Sequence, residues 1–277
     1  MNMEYKELVV SLTPEPRLEQ ALKQAGVEDP ATVTRLSLVG TLRNDDLKYI
    51  RKNMAETLQR LDLSNAKFKK NKISKSAFRG CSGLTSIIIP DTVKKIGSFA
   101  FSKCTNLTTI FIPASDVKIN RWAFSHFWGL NAIEAHPDNP VYSSENGVLF
   151  NKEKTELVRF PAGRKGSYII PNSVVKICEY AFADCAWLTA VTIPQSVIEL
   201  GDACFDGKGL AAIHVHPDNP EYTSINGLLF NKEKTIFLKY PDGRHGWRPY
   251  NSRLGDRDIC MDYFNNNPLW YYRYYQK

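Results

Sequence analysis

Residues 78–101 read Phe78-Arg-Gly-Cys81-Ser-Gly-Leu84-Thr-Ser-Ile87-Ile-Ile89-Pro90-Asp-Thr-Val93-Lys-Lys-Ile96-Gly97-Ser-Phe-Ala100-Phe101. Residues 182–205 spell the same frame, Phe182-Ala-Asp-Cys185-Ala-Trp-Leu188-Thr-Ala-Val191-Thr-Ile193-Pro194-Gln-Ser-Val197-Ile-Glu-Leu200-Gly201-Asp-Ala-Cys204-Phe205. Ala-Phe recurs at 77–78, 100–101, 123–124 and 181–182, with Cys204-Phe205 as a variant, so the phenylalanines are spaced by 23, 23, 58 and 23 residues. A fixed short period of this kind marks a stack of similar coils, each too small to bury its apolar face alone.

The frame has a physical reading at each place. Leu84, Ile87 and Ile89 fit the buried side of a short strand, and alternation turns Ser86 and Ile88 outwards. Pro90, Pro113 and Pro194 close the strand, after which Val and Ile turn the chain back into the core. The Ala-Phe pair places a small residue where coils approach and a large one where the interior must be filled. Neighbouring strands lie ~4.8 Å apart, so about eight coils predict a sheet of ~35–40 Å.

The 58-residue gap holds an insertion that is itself repeated. His-Pro-Asp-Asn-Pro stands at 136–140 and 216–220, and Asn-Gly-Val-Leu-Phe-Asn-Lys-Glu-Lys-Thr at 146–155 returns at 226–235 with Leu228 for Val148. The larger unit is thus 80 residues long. Each insert predicts a β-hairpin: a Val/Leu-Leu-Phe strand, an Asn-Lys-Glu-Lys turn, then Leu157–Phe160 or Phe237–Tyr240. Upstream, Leu18–Ala25 predicts a short amphipathic helix, Leu36-Ser-Leu38 a strand before Gly40, and Asp45–Leu58 a helix capped by Asp45 or Asn44. Leu58-Gln-Arg-Leu61-Asp-Leu63-Ser-Asn65 follows the leucine-rich pattern Leu-x-x-Leu-x-Leu-x-x-Asn, with Asn65 one place early.

The Ala-Phe-x-x-Cys-x-x-Leu-Thr-x-Ile-x-Ile-Pro coils, the Asn-Gly-Val-Leu-Phe inserts and Gly40-Thr-Leu-Arg-Asn-Asp-Asp-Leu47 resemble the BspA-like leucine-rich-repeat family over roughly residues 30–250. The resemblance implies a right-handed, curved leucine-rich-repeat solenoid, mainly β, with a parallel sheet on its concave face, β-hairpin inserts and an N-terminal α/β cap. It also implies a bacterial surface or secreted protein that adheres to host matrix proteins, other cells or glycans. Residues 1–73 are expected to form the N-terminal helical cap and first leucine-rich strands. Residues 74–250 are expected to be repeats of 23 residues, with inserts at about 136–166 and 216–246. Residues 251–277, where the pattern degenerates into the aromatic terminus Leu269–Lys277, are expected to be a C-terminal cap or a stacking patch.

Composition sets outer bounds. A 43% hydrophobic fraction suffices for a large core and excludes a disordered chain. No stretch approaches the ~20 apolar residues of a membrane span, and Met1–Pro16 lacks a secretory apolar region. The resemblance therefore leaves two locations open, the cell surface after removal of a leader, and the cytoplasm. The formal charge of +7 is clustered: Lys67, Lys69, Lys70 and Lys72, with Lys75 and Arg79, occupy residues 66–80 without an acid. Such a patch either attracts a polyanion or serves as a solvated edge.

Chemistry is sparse. Cys81, Cys104 and Cys185 share one slot of the repeat, so they predict an interior ladder of reduced thiols; Cys178, Cys204 and Cys260 also sit at repeat positions. No Cys-x-x-Cys or Cys/His zinc spacing occurs, nor a nucleophile elbow, phosphate loop or repeated carboxylate pair. His214 and His216 would share a strand face, but a metal site lacks carboxylates; His136 and His216 suit turns. No metal, cofactor or catalytic residue is expected. Function then rests on outward positions of the sheet: Arg60, Asp62, Ser86, Ile88, Thr109, Phe111, Glu134, Thr192 and His214. Ile88 and Phe111 are the informative members, since adjacent apolar side chains on an open sheet suggest a binding patch, although both also suit a strand covered by a loop. A monomeric, non-enzymatic protein that binds a protein or glycan ligand is expected, with no specific nucleic acid. The alternatives are an intracellular protein–protein scaffold and a polyanion- or glycan-binding accessory module.

Overall fold

In a computed structural model, which describes residues 7–12 and 17–243, the chain is a β-solenoid built of short parallel strands. The front ladder begins with Leu8–Ser11, Arg35–Leu42, Arg60–Asp62 and Ser86–Ile88 in parallel register. Thr109–Ile112 lies beside Ser86–Ile88 and pairs with Ala132–Ala135. Beyond the first insert the ladder resumes with Gly166–Ile169, Leu188–Ile193 and Ala212–Val215. A second, narrower ladder forms where each coil turns back. It consists of Lys72–Ile73, Lys95–Ile96 and Lys118–Ile119, and past the insert of Glu156–Arg159, Lys176–Ile177 and Glu199–Leu200.

The core follows the repeat frame. Leu84, Ile87, Ile89, Val93, Ile96, Ala100 and Phe101 are all buried, and one period on so are Leu107, Ile110, Ile112, Val117, Ala123 and Phe124, with Ile119 half-buried. The phenylalanine rings form a ladder: Phe101 lies 5.5 Å from Phe78 and 6.2 Å from Phe124, and Phe182 lies 5.3 Å from Phe160 and 5.5 Å from Phe205. Such spacings suit offset stacking of aromatic pairs. Cys81, Cys104, Cys185 and Cys204 are buried free thiols and Cys178 is half-buried; Cys260 lies outside the described residues.

The insert forms part of the core. Tyr142–Glu145, Val148–Asn151 and Glu156–Arg159 make an antiparallel meander whose last strand joins the second ladder. The middle strand is buried on both faces: Leu149 packs into the core of the preceding coils, Val148 and Phe150 into that of the following ones. Tyr222–Ile225, Leu228–Asn231 and Phe237–Lys239 repeat the arrangement.

One boundary differs from the sequence expectation. The second helix runs Asn44–Asn53, shorter than Asp45–Leu58, and Arg43 stands at its N-cap. The buried carboxylate of Asp46 accepts hydrogen bonds from the backbone N–H of Arg43 and of Leu18, both at 2.9 Å. This one side chain therefore caps its own helix and ties it to Leu18–Gln24. The helix ends early because Met54 and Leu58 are drawn into the core as the chain turns towards the next strand. The cap expected over residues 251–277 lies outside the described residues.

Candidate functional site

The outward positions of the front ladder fall into two columns. One runs Val9, Ser37, Asp62, Ile88 in register, passes to the pair Phe111–Glu134, and resumes past the insert as Ile169, Thr192, His214. The other runs Arg35, Arg60, Ser86, then Thr109–Ala132, then Ser167, Ala190, Ala212. Strand pairing thus places all nine expected residues in these two columns, divided by the insert.

Their environments differ. Phe111 is 62% exposed and Ile88 37%, and the short side chains of Thr109, Ala132 and Ser86 around them leave the ring standing clear. Glu134 is opposite Phe111 but is engaged, accepting a 2.8 Å hydrogen bond from the Ser144 hydroxyl, which itself accepts from the N–H of Ala135. Asp62 accepts from the N–H of Ser64 at 2.9 Å, and Arg60 lies 3.8 Å from the carboxylate of Glu7. Thr192 is half-buried, whereas His214 is exposed at the far end of the column.

Two exposed apolar members of the face went unread in the sequence, Val9 at 63% and Ile169 at 72%. The signal for Ile169 was present: it precedes Ile170-Pro171 as Ile88 precedes Ile89-Pro90 and Phe111 precedes Ile112-Pro113. The residue before Ile-Pro protrudes in these three coils, whereas Thr192 before Ile193-Pro194 is half-buried.

Lys67, Lys69, Lys70 and Lys72 are exposed on a different face, around a turn in which Lys70 and Asn71 take positive φ of 57° and 51°. Lys69, Lys70 and Lys72 edge a cleft of about 300 Å³ floored by Leu42, Phe68 and Asn44. The structure brings these lysines together with one another and not with Phe111.

The histidines of the inserts make turns. Nδ1 of His136 accepts from the N–H of Asp138 at 3.2 Å, and His216 repeats this with Asp218. Among the described residues no group of three or more His, Cys, Asp or Glu is placed to hold a metal ion. Burial pushes the thiols of Cys81, Cys185 and Cys204 up to about 12, far from the thiolate form that nucleophilic chemistry needs.

The parallel ladders, the coil-to-coil phenylalanine stack and the leucine-rich first strands define a leucine-rich-repeat solenoid. Six copies of the BspA type leucine rich repeat region match residues 54–165 and 164–239, and the chain belongs to that family. No curated protein matches it. Similar solved structures include the pneumococcal vaccine antigen PcpA, at 19% identity and a TM-score of 0.45, covering 68% of this chain and 52% of that one. A leucine-rich-repeat protein of Eubacterium ventriosum shows 18% identity and a TM-score of 0.37, covering 64% of this chain and 66% of that one. A leucine rich cell surface protein of Faecalibacterium prausnitzii shows 23% identity and a TM-score of 0.39, covering 66% and 60%. The chain thus matches between about half and two thirds of the length of these structures. No helix among the described residues is long and apolar enough to cross a membrane.

Proposed function

We propose that this is a non-enzymatic binding protein of adhesion type, at the cell surface or secreted, which takes a protein or glycan ligand on its front ladder. The observation that carries the reading is the exposed ring of Phe111 on the strand beside that of Ile88, with Glu134 opposite it and the small Thr109, Ala132 and Ser86 in the neighbouring column of an open sheet. Binding energy concentrates in a few protruding anchors, and aromatic residues are enriched among them. The short neighbours form the shallow ground that a partner must meet to exclude water from that ring. Ile169 extends the same column past the insert, and membership of the BspA type family agrees with an adhesive role.

The test is a binding screen of the protein against matrix proteins and a glycan array, with Phe111→Ser alongside. A ligand lost in the variant, with folding stability changed by no more than about 0.5 kcal/mol as for an exposed position, supports the reading. Ligands that bind the variant as well as the parent protein refute the placement of the site.

A further inference from the structure

The second ladder carries a pattern that the front-face reading does not use. Lys72, Lys95 and Lys118 are in direct register on three adjacent parallel strands, and all three are exposed. Each is followed by an isoleucine turned towards the core, so alternation fixes the lysines outwards. Parallel neighbours stand ~4.8 Å apart, which puts the three stems one above the next over ~10 Å. Among the described residues none of the three forms an ion pair.

Like charges directly opposite one another on a sheet are destabilising. The same ladder shows how the fold avoids that cost elsewhere. Past the insert its register reads Glu156, Lys176, Glu199, and Lys176 pairs with Glu199 at 2.6 Å. Solubility would be served by either arrangement, so it does not account for the uncompensated column. Lys94 adjoins the column, its N–H bonded to Asn71 O, and Lys69 and Lys70 carry the charge round to the cleft. The nearby acids, Asp91 and Asp116, lie in the turns before the strands, and Asp91 is occupied by the N–H of Ala114.

We propose that Lys72, Lys95 and Lys118, continued by Lys94, Lys69 and Lys70, bind an acidic polysaccharide, successive carboxylates or sulfates meeting successive strands. A hexose advances a linear glycan by about one strand-to-strand step, so a charged sugar chain laid across the ladder keeps pace with it. Single-stranded nucleic acid is disfavoured because its binding platforms interleave rings with the cations. The outward positions of this ladder carry none, and Phe68 beside the lysine turn is buried. The site is independent of Phe111 and of the reading built on it.

The experiment measures fluorescence anisotropy of a labelled heparin oligosaccharide, with polygalacturonate as competitor. The parent protein is compared with Lys72→Gln/Lys95→Gln/Lys118→Gln and with Lys52→Gln/Lys103→Gln/Lys208→Gln, a control of equal net charge. The ladder variant is expected to lose about tenfold or more in affinity and the control much less. The slope of log affinity against log salt should fall by about two to three, as when three contacts no longer displace counterions. The melting temperature of the ladder variant should be unchanged or raised, which shows that it folds, and Phe111→Ser should bind the oligosaccharide normally. Equal losses in the two triple variants would reduce the effect to net charge and overturn the proposal. So would absence of parental binding at physiological salt, or tighter binding to an oligonucleotide or to anionic phospholipid vesicles than to either glycan.

Discussion

Asn139 is fully buried where the first insert leaves the front ladder, and its carboxamide makes four hydrogen bonds. Its Nδ2 donates to Pro113 O at 2.7 Å and Ser115 O at 2.9 Å, one coil back. Its Oδ1 accepts from the N–H of Val141 at 2.9 Å and of Tyr142 at 2.7 Å, which start the inserted meander. Asn139→Ala orphans the Pro113 carbonyl and two amides at once, and leaves Ser115 O with only its bond from the Val117 N–H at 2.8 Å. A buried polar group without a partner costs about 1–3 kcal/mol, and water can reach the half-buried Val141 and Tyr142 more readily than the carbonyls. The expected loss is therefore about 3–5 kcal/mol, large against the ~5–15 kcal/mol of a typical domain. In a solenoid such a loss is felt first by the coil concerned. Guanidinium denaturation should show an earlier transition, and hydrogen exchange should reveal lost protection over residues 141–160 while residues 77–101 keep theirs. Asn139→Asp is a close control: it keeps the acceptor but turns a carboxylate towards two carbonyls, so it should be at least as damaging. A loss below about 1 kcal/mol in the alanine variant, with exchange unchanged, would refute the argument that this side chain locks the insert to the coil before it.

Phe101→Ala removes the centre of the Phe78–Phe101–Phe124 stack and should cost about 3–5 kcal/mol by chemical denaturation; a loss under 1 kcal/mol would mean that the ladder repacks. Arg159 is a buried cation, its pKa lowered by burial, that donates to Tyr180 O at 2.6 Å and Ala183 O at 3.1 Å. Arg159→Met should therefore lower the melting temperature by the equivalent of about 1–3 kcal/mol, the cost of Ala183 O left without its guanidinium donor while Tyr180 O keeps the Ala183 N–H at 3.0 Å, and an unchanged melting temperature would refute that role. Burial pushes the thiols of Cys81, Cys178, Cys185 and Cys204 from 9.0 up to about 12, so the folded state holds these protons longer than the unfolded chain. Their contribution is complete below about pH 9 and is lost as pH rises towards 12. Denaturation midpoints should fall across that window and fall less in Cys185→Ala; equal slopes in the two proteins would refute the assignment.

The repeat frame was legible because every coil restates the same burial requirement, and the alternation of Leu84, Ile87 and Ile89 against Ser86 and Ile88 is restated with it. What escaped depends on partners that the repeat does not name. Within His-Pro-Asp-Asn-Pro, an exposed turn explains Asn139 as well as a buried lock does, since its Nδ2 partners lie 24 and 26 residues earlier. Val148-Leu149-Phe150 is a continuous apolar run, the mark of a strand buried on both faces, yet a hairpin reading needs only one. Lys72, Lys95 and Lys118 are spaced by the same 23 residues as the phenylalanines. A search for runs of charge finds the cluster at 66–80 and passes over a charge that recurs with the period. The helix boundary at Arg43 was misplaced because Asp46, one turn in, caps the helix from within.

The insert also explains why the two surfaces are uneven along the stack. Leu149 belongs to the core before it, and Val148 and Phe150 to the core after it, so the inserted strand is a shared wall between two short solenoids. Both ladders change character at that wall. In front, Phe111 and Glu134 end one stretch, with Glu134 held by Ser144 of the insert, and Ile169 begins the next. Along the second ladder, three uncompensated lysines give way to Glu156, Lys176 and Glu199. Identical backbone slots thus carry different chemistry on either side, although the core residues beneath them hardly change. Packing demands the repetition of Ala, Phe, Ile and Pro; nothing in packing demands Phe111 or a column of like charges. These positions are free of the fold's constraints, so their departure from what packing requires is where selection for a partner would be read, and the coils of residues 72–119 carry both Phe111 and the lysine column.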